Sequence, residues 1–167
     1  MESRGEELEA SHSRELHNLS MTSGQIASNL IQIFKAGRRI GVCGNGGSAC
    51  EADHLCGELV GQYTKDHKPL PAISFNTPAI TSAIGNDFGY EYVFERQVRA
   101  YLKSGDGLVT LTTSGKSKNI LRAEHQAERL GVIVMRLYGE GTTTREIQEN
   151  HLRAIHDISE IVEEYFL

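Results

Sequence analysis

Arg39-Ile40-Gly41-Val42-Cys43-Gly44-Asn45-Gly46-Gly47-Ser48 is the stretch on which the fold turns. Arg39–Cys43 reads as a short buried strand, and Gly44–Ser48 interrupts it ahead of a helical pattern that reaches about Val60. A strand passing through a glycine loop straight into a helix opens a βαβ unit. The same alternation continues downstream. Pro71–Phe75 reads as a second strand, and a short helix starts at Thr77 with Pro78 at its first position, where a missing N–H does no harm. Tyr90 to Leu102 is helical, with Val93, Phe94, Val98, Tyr101 and Leu102 on one side. Leu108–Leu111 is a third strand leading through Thr112–Ser117 into a helix that ends near Leu130, Val132–Leu137 is a fourth, and a last helix runs from about Thr144 to Phe166. Strands separated by helices imply right-handed crossovers and parallel pairing. The expected fold is α/β, a doubly wound parallel sheet of four to five strands flanked by helices, in one domain spanning 1–167.

Upstream, Leu8, Leu16, Leu19, Ile26, Leu30, Ile31 and Phe34 recur at helical spacing, with Ser20 and Gly24 as punctuation. Residues 1–36 therefore read as a helical extension, two helices or one kinked helix. Its second half packs on the core and its first half suits packing against another subunit.

Composition narrows the function. A chain of 167 residues is long enough to bury about 70% of its unfolded surface. Seventeen glycines and three prolines suit tight turns and close backbone approaches. The net charge is −5 with no Lys/Arg block, which argues against generic nucleic-acid binding. An anionic ligand would have to be held by local dipoles. No apolar run approaches the ~20 residues that span a bilayer, and MESRGEELEA is acidic where a secretion signal is basic and then apolar. Cys43, Cys50 and Cys56 are odd in number without a CxxC spacing, so they read as small buried thiols.

Two strand-to-helix loops suit an anion, since ligands in such sheets bind beyond the carboxyl ends of the strands. In Gly44–Ser48 the glycines permit close approach and the following helix offers free N–H groups at its positive end. Neither GxGxxG nor GxxxxGK[ST] is present, so a dinucleotide or nucleoside triphosphate is disfavoured. Thr112, Thr113, Ser114 and Ser117 place four hydroxyls within six residues at a second helix start. Each loop alone is equally readable as a glycine turn or a Ser/Thr cap; the pair, at two strand ends, favours phosphate.

The helix after the first loop carries Glu51, His54 and Glu58 at spacings of three and four, opposite Ala52, Leu55, Cys56 and Leu59. A His and a carboxylate four apart can ligate a metal or act as an acid–base pair, or they can be an ordinary solvated pair. The last helix has an apolar stripe of Ile147, Ile155, Ile158 and Val162, with His151 close to it as a core histidine. His12, His17, His67 and His125 lie in polar or loop contexts and receive no role. Asn86-Asp87, after the second strand, could be a turn or lie near the crevice.

Gly44-Asn45-Gly46-Gly47-Ser48 with His54 and Glu58, Ile84–Gly89, Thr113–Ser117 and Ile147–His151, in this order, resemble the phosphoheptose (sedoheptulose-7-phosphate) isomerases of the sugar-isomerase (SIS) fold. The likeness runs from about Leu30 to Val162. It implies conversion of sedoheptulose 7-phosphate to D-glycero-D-manno-heptose 7-phosphate for heptose of lipopolysaccharide core or capsule. It also implies a cytoplasmic homotetramer with sites between subunits, and one zinc per subunit on His54, Glu58, Gln148 and His156. The substrate positions it implies are Asn45, Gly46, Gly47, Ser48, Glu58, Asn86, Asp87, Thr112, Thr113, Ser114, Ser117 and Gln148. Glu58 as base and His156 as acid follow from the family's mechanism and suit an enediol reaction. Gln148 and His156 stand eight positions apart, about 12 Å along a helix; spacing alone would pair Gln148 with His151.

The chain departs from the family twice. Gln62 stands where Arg is common. After Leu137-Tyr138-Gly139 the family continues through another helix and strand, whereas here Gly139–Thr142 leads straight to the last helix, a cramped link that suggests missing residues. The rival readings are a non-catalytic SIS module, a phosphosugar sensor or replication-initiation adaptor, and a different SIS sugar-phosphate isomerase or etherase. Adaptor relatives lose the acidic residue of the first helix; Glu58 is retained here, which favours the enzyme.

Overall fold

The structure, a computed structural model, describes residues 20–139 and 141–167. Its elements are α1 (Ser23–Lys35), β1 (Ile40–Gly44), α2 (Gly47–Val60), β2 (Ala72–Ser74), α3 (Pro78–Phe88), a 3-10 turn (Tyr90–Tyr92), α4 (Val93–Tyr101), β3 (Gly107–Thr112), α5 (Lys118–Arg129), β4 (Ile133–Tyr138) and α6 (Thr144–Phe166). Four parallel strands lie in the order β2-β1-β3-β4. β1 and β3 are therefore central neighbours, and the loops that follow them emerge side by side at one edge of the sheet.

The pleat sorts the strand side chains between two helical layers. Ile40, Val42, Val109, Leu111, Met135 and Leu137 face a layer made by α1, α2 and α6. Cys43 and Leu108 face the other, made mainly by α4 and α5. That second interface also holds a buried polar network. Glu124 accepts from the hydroxyls of Thr110 (2.6 Å) and Tyr138 (2.7 Å) and from Arg136 Nε (3.0 Å). Burial, followed by the Glu124 charge, pushes the Tyr138 phenol well above its ordinary range. At Gly41 the ring of Phe75 covers the backbone so closely that a Cβ would stand 2.3 Å from its Cζ.

Some boundaries differ from expectation. Among the described residues the first helix begins at Ser23, where Thr22 and Gln25 form a reciprocal capping box, so Gly24 lies inside it. The part of the 1–36 extension before residue 20 lies outside the described residues. The segment expected as one helix from Tyr90 is a 3-10 turn followed by α4. Cys43 and Cys56 are buried as expected, but Cys50 is exposed. Among the described residues the sheet has four strands, and the outer side of β4 is met by the approach to α1, with Met21 N donating to Arg136 O (2.9 Å) and Ser20 Oγ to Tyr138 O (2.6 Å). The link from β4 to α6 spans residues 139–143. Gly139 lies flat on α6, where a Cβ would come within 2.2 Å of Ile147 Cγ2. Among the described residues no helix is long and apolar enough to cross a membrane.

Candidate active site

Gly44 and Gly46 shape the first loop. A Cβ on Gly44 would stand 2.3 Å from the Ser48 carbonyl oxygen, and Gly46 takes φ of +57°. The chain thereby turns from β1 into α2 within two residues. α2 and α5 both begin without a side-chain cap, whereas α1 and α6 have complete capping boxes. The positive ends of α2 and α5 meet at the same end of the sheet, and neither has a side chain from its N-cap residue bonded to it.

Between them lies a cavity of about 290 Å³, lined by Asn45, Gly46, Gly47 and Ser48, by Thr112, Thr113 and Ser117, and by Thr144 and Gln148 from α6. None of its described lining side chains is charged. Hydroxyls, amides and the positive ends of two helices make it suitable for an anion. Gly47 lies against Gln148, whose Nε2 would be 2.1 Å from a Cβ there. Asn45 also pairs with Asn119, which sequence reading did not single out; its position two residues after Ser117, in the first turn of α5, was the available signal.

Further along α2, His54 and Glu58 meet His156 of α6. His54 Nε2 is 2.7 Å and His156 Nε2 3.7 Å from Glu58 Oε1. One ligand atom from each of the three lies within 4.8 Å of the others, a separation a single cation could draw together. The imidazoles are about two-fifths exposed and the carboxylate only 12%, so Glu58 is the sheltered member. Its other oxygen, Oε2, accepts from buried Ser159 Oγ. Glu58 therefore has one anchored oxygen and one facing the imidazoles.

A second support reaches His156 through Tyr63, whose ring stacks on it at 5.6 Å and 23°. Buried Glu163 holds that loop, accepting from the backbone N–H groups of Tyr63, Thr64 and Lys65 and from the Thr64 hydroxyl, at 2.6–2.9 Å. Burial pushes this carboxyl up, but the bonds from Thr64, Lys65 and Tyr63 outweigh it, so the net direction is below the ordinary carboxylate range. His151 is a core residue, 1% exposed, with Nδ1 3.0 Å from Glu51. Glu51 is thus engaged with α6 and is not on a solvated face.

The structure brings together Asn45, Gly46, Gly47, Ser48, Thr112, Thr113, Ser117 and Gln148 in the cavity, and His54, Glu58 and His156 in the cluster. Gln148 lies at the cavity end of α6. Ser114 accepts from Lys116 N within its loop and does not line the cavity. Asn86 and Asp87 sit exposed in the last turn of α3, bonded to each other at 2.8 Å and outside the cavity lining.

The profile of the SIS domain family matches residues 6–139. The phosphoheptose isomerase of Campylobacter concisus is 40% identical over 172 residues, covering 93% of this chain and 89% of the relative. That alignment is longer than the 167-residue chain, so the relative carries residues without a counterpart here. The phosphoheptose isomerase of Rhodospirillum rubrum is 41% identical over 149 residues, covering 78% of this chain and 79% of the relative. Among solved structures, the phosphoheptose isomerase of Neisseria gonorrhoeae superimposes with a TM-score of 0.80 at 30% identity, covering 97% of this chain and 96% of that one.

Proposed function

The chain belongs to the SIS-domain phosphoheptose isomerases, and on that footing we propose how its residues convert sedoheptulose 7-phosphate to D-glycero-D-manno-heptose 7-phosphate. The observation that carries the reading is that one helix, α2, begins at a neutral anion cradle and bears a carboxylate–imidazole cluster farther along. The cradle takes the phosphate on Asn45, Gly46, Gly47, Ser48, Thr112, Thr113 and Ser117, with Gln148 beside it. The cluster takes the ketose end.

Isomerisation removes one proton from C1 of the ketose and adds one at C2 through a 1,2-enediol. Glu58 Oε1 removes the C1 proton, exchanges it with solvent at the enediol stage and delivers a proton at C2, while Oε2 stays fixed on Ser159. His156 moves the proton between the carbonyl and hydroxyl oxygens, held by its stack on Tyr63. We further propose that the cluster holds zinc on His54, Glu58 and His156 with Gln148 as a fourth donor; the nitrogen and oxygen donors suit that ion. When bound, zinc would supply Lewis-acid polarisation of the carbonyl, held loosely enough during turnover to leave Glu58 Oε1 and His156 free for proton transfer. Elemental analysis of protein purified without chelators should find about one zinc per chain, and a His54→Ala, His156→Ala double variant should lose it.

The family also suggests a homotetramer in the cytoplasm, providing heptose for lipopolysaccharide core or capsule. Asn86 and Asp87, outside the cavity of their own chain, would then contribute to a neighbouring subunit's site. The test is incubation with sedoheptulose 7-phosphate and NMR of the product. Heptose 7-phosphate is expected. Turnover of a six-carbon ketose phosphate but not of the heptulose would replace this reading with that of another SIS isomerase.

A further inference from the structure

We propose that Asn119 is a positioning residue that fixes Asn45 as a pure hydrogen-bond donor toward the ligand and ties together the two loops of the cradle. The proposal rests on reading the cavity as the phosphate site. The two side chains form a reciprocal amide pair, with Asn45 Nδ2 donating to Asn119 Oδ1 (3.0 Å) and Asn119 Nδ2 donating to Asn45 Oδ1 (2.8 Å). They lie 74 residues apart in sequence, on the loop after β1 and the first turn of α5 after β3.

The orientation is over-determined from both sides. Asn119 is only 3% exposed, and its Oδ1 also accepts from Ile120 N at 3.0 Å, which fixes which end of this amide is oxygen. Asn45 Oδ1 receives a second donor, the Tyr90 hydroxyl, at 3.2 Å. A carbonyl oxygen has two lone pairs, and both are now engaged. One Nδ2 hydrogen of Asn45 is engaged as well, so its side chain has one remaining N–H for the cavity and no acceptor. Without Asn119 the Asn45 amide can rotate by half a turn and set its oxygen against a phosphate oxygen. Such a residue governs ligand affinity without touching the ligand.

The measurements are KM and kcat for sedoheptulose 7-phosphate, and the dissociation constant of inorganic phosphate by calorimetry. They are made on wild type, Asn119→Ala, Asn119→Ser, Asn45→Ala and the double variant Asn45→Ala, Asn119→Ala, each checked for folding by circular dichroism. Loss of one such interaction corresponds to a weakening of about tenfold at most. In both Asn119 variants, KM and the phosphate constant are expected to rise by about three- to tenfold, with kcat within about threefold of wild type. In the Asn45→Ala background, Asn119→Ala should add no further loss, because its effect runs through the missing amide. Additive losses in the double variant, unchanged phosphate binding in folded Asn119 variants, or failure of both to fold would each overturn the proposal. A wild type that binds phosphate but does not isomerise the heptulose would instead count against the proposed reaction, leaving the phosphate-binding comparison to decide the role of Asn119.

Discussion

Gly47 and Glu58 stand at opposite ends of one helix and make different demands on it. A side chain at position 47 would enter the space of Gln148 Nε2. The obstacle is the end of a flexible side chain, so Gly47→Ala should fold with a melting temperature close to that of wild type. It should also push Gln148 out of the cavity and raise KM for the heptulose phosphate about tenfold or more, read from initial rates. Glu58→Gln keeps the shape but removes the base, so kcat should fall by about 10²–10⁴-fold while calorimetry still finds phosphate binding. His54, Glu58 and the two loops were legible in sequence because helical spacing and glycine-rich turns are local signals. Asn119, Ser159 and Tyr63 were not, since each gains its role from a partner 74 to 101 positions away or across a helix interface.

The strands were legible because their apolar runs are short and bounded by glycine and threonine loops, although each observed boundary differs by one or more residues. The helix start at Ser23 is set by a capping box, a signal of Thr22 and Gln25 that spacing of apolar residues does not carry. Packing between elements supplies two tests. Gly41→Ala would drive a methyl group into the fully buried Phe75 ring and should cost about 1–3 kcal/mol in urea unfolding. Glu163 ties the loop at Tyr63–Lys65 to α6, and its folded-state pKa is depressed. Its contribution is therefore present above the ordinary carboxylate value of about 4.3 and is lost as pH falls through the lower folded value. The melting temperature of Glu163→Gln should lie below wild type at pH 7, and the gap should close below about pH 4. A gap independent of pH would show that the carboxylate charge is not what holds the loop.

One sheet with its flanking helices carries both ends of the proposed site, because β1 and β3 are central neighbours and α6 crosses from the cavity to the His54–Glu58–His156 cluster. The order of strands and helices made the sheet legible. Asn86 and Asp87 are exposed on α3, outside the cavity of their own chain. If they serve a neighbouring subunit, Asp87→Asn and Glu58→Gln, each inactive alone, should regain activity when their subunits are exchanged, because some mixed sites contain neither change. No recovery after exchange confirmed by mass spectrometry would confine Asp87 to its own chain. The proton path through Glu58 is tested most directly by running the wild-type and Glu58→Gln reactions in D₂O and recording the NMR spectrum of the heptose 7-phosphate. Solvent deuterium at C2 of the wild-type product, with turnover and exchange in Glu58→Gln slowed together by about 10²–10⁴-fold, is the expected result. Full conversion with protium alone at C2, or undiminished exchange in the variant, would contradict it.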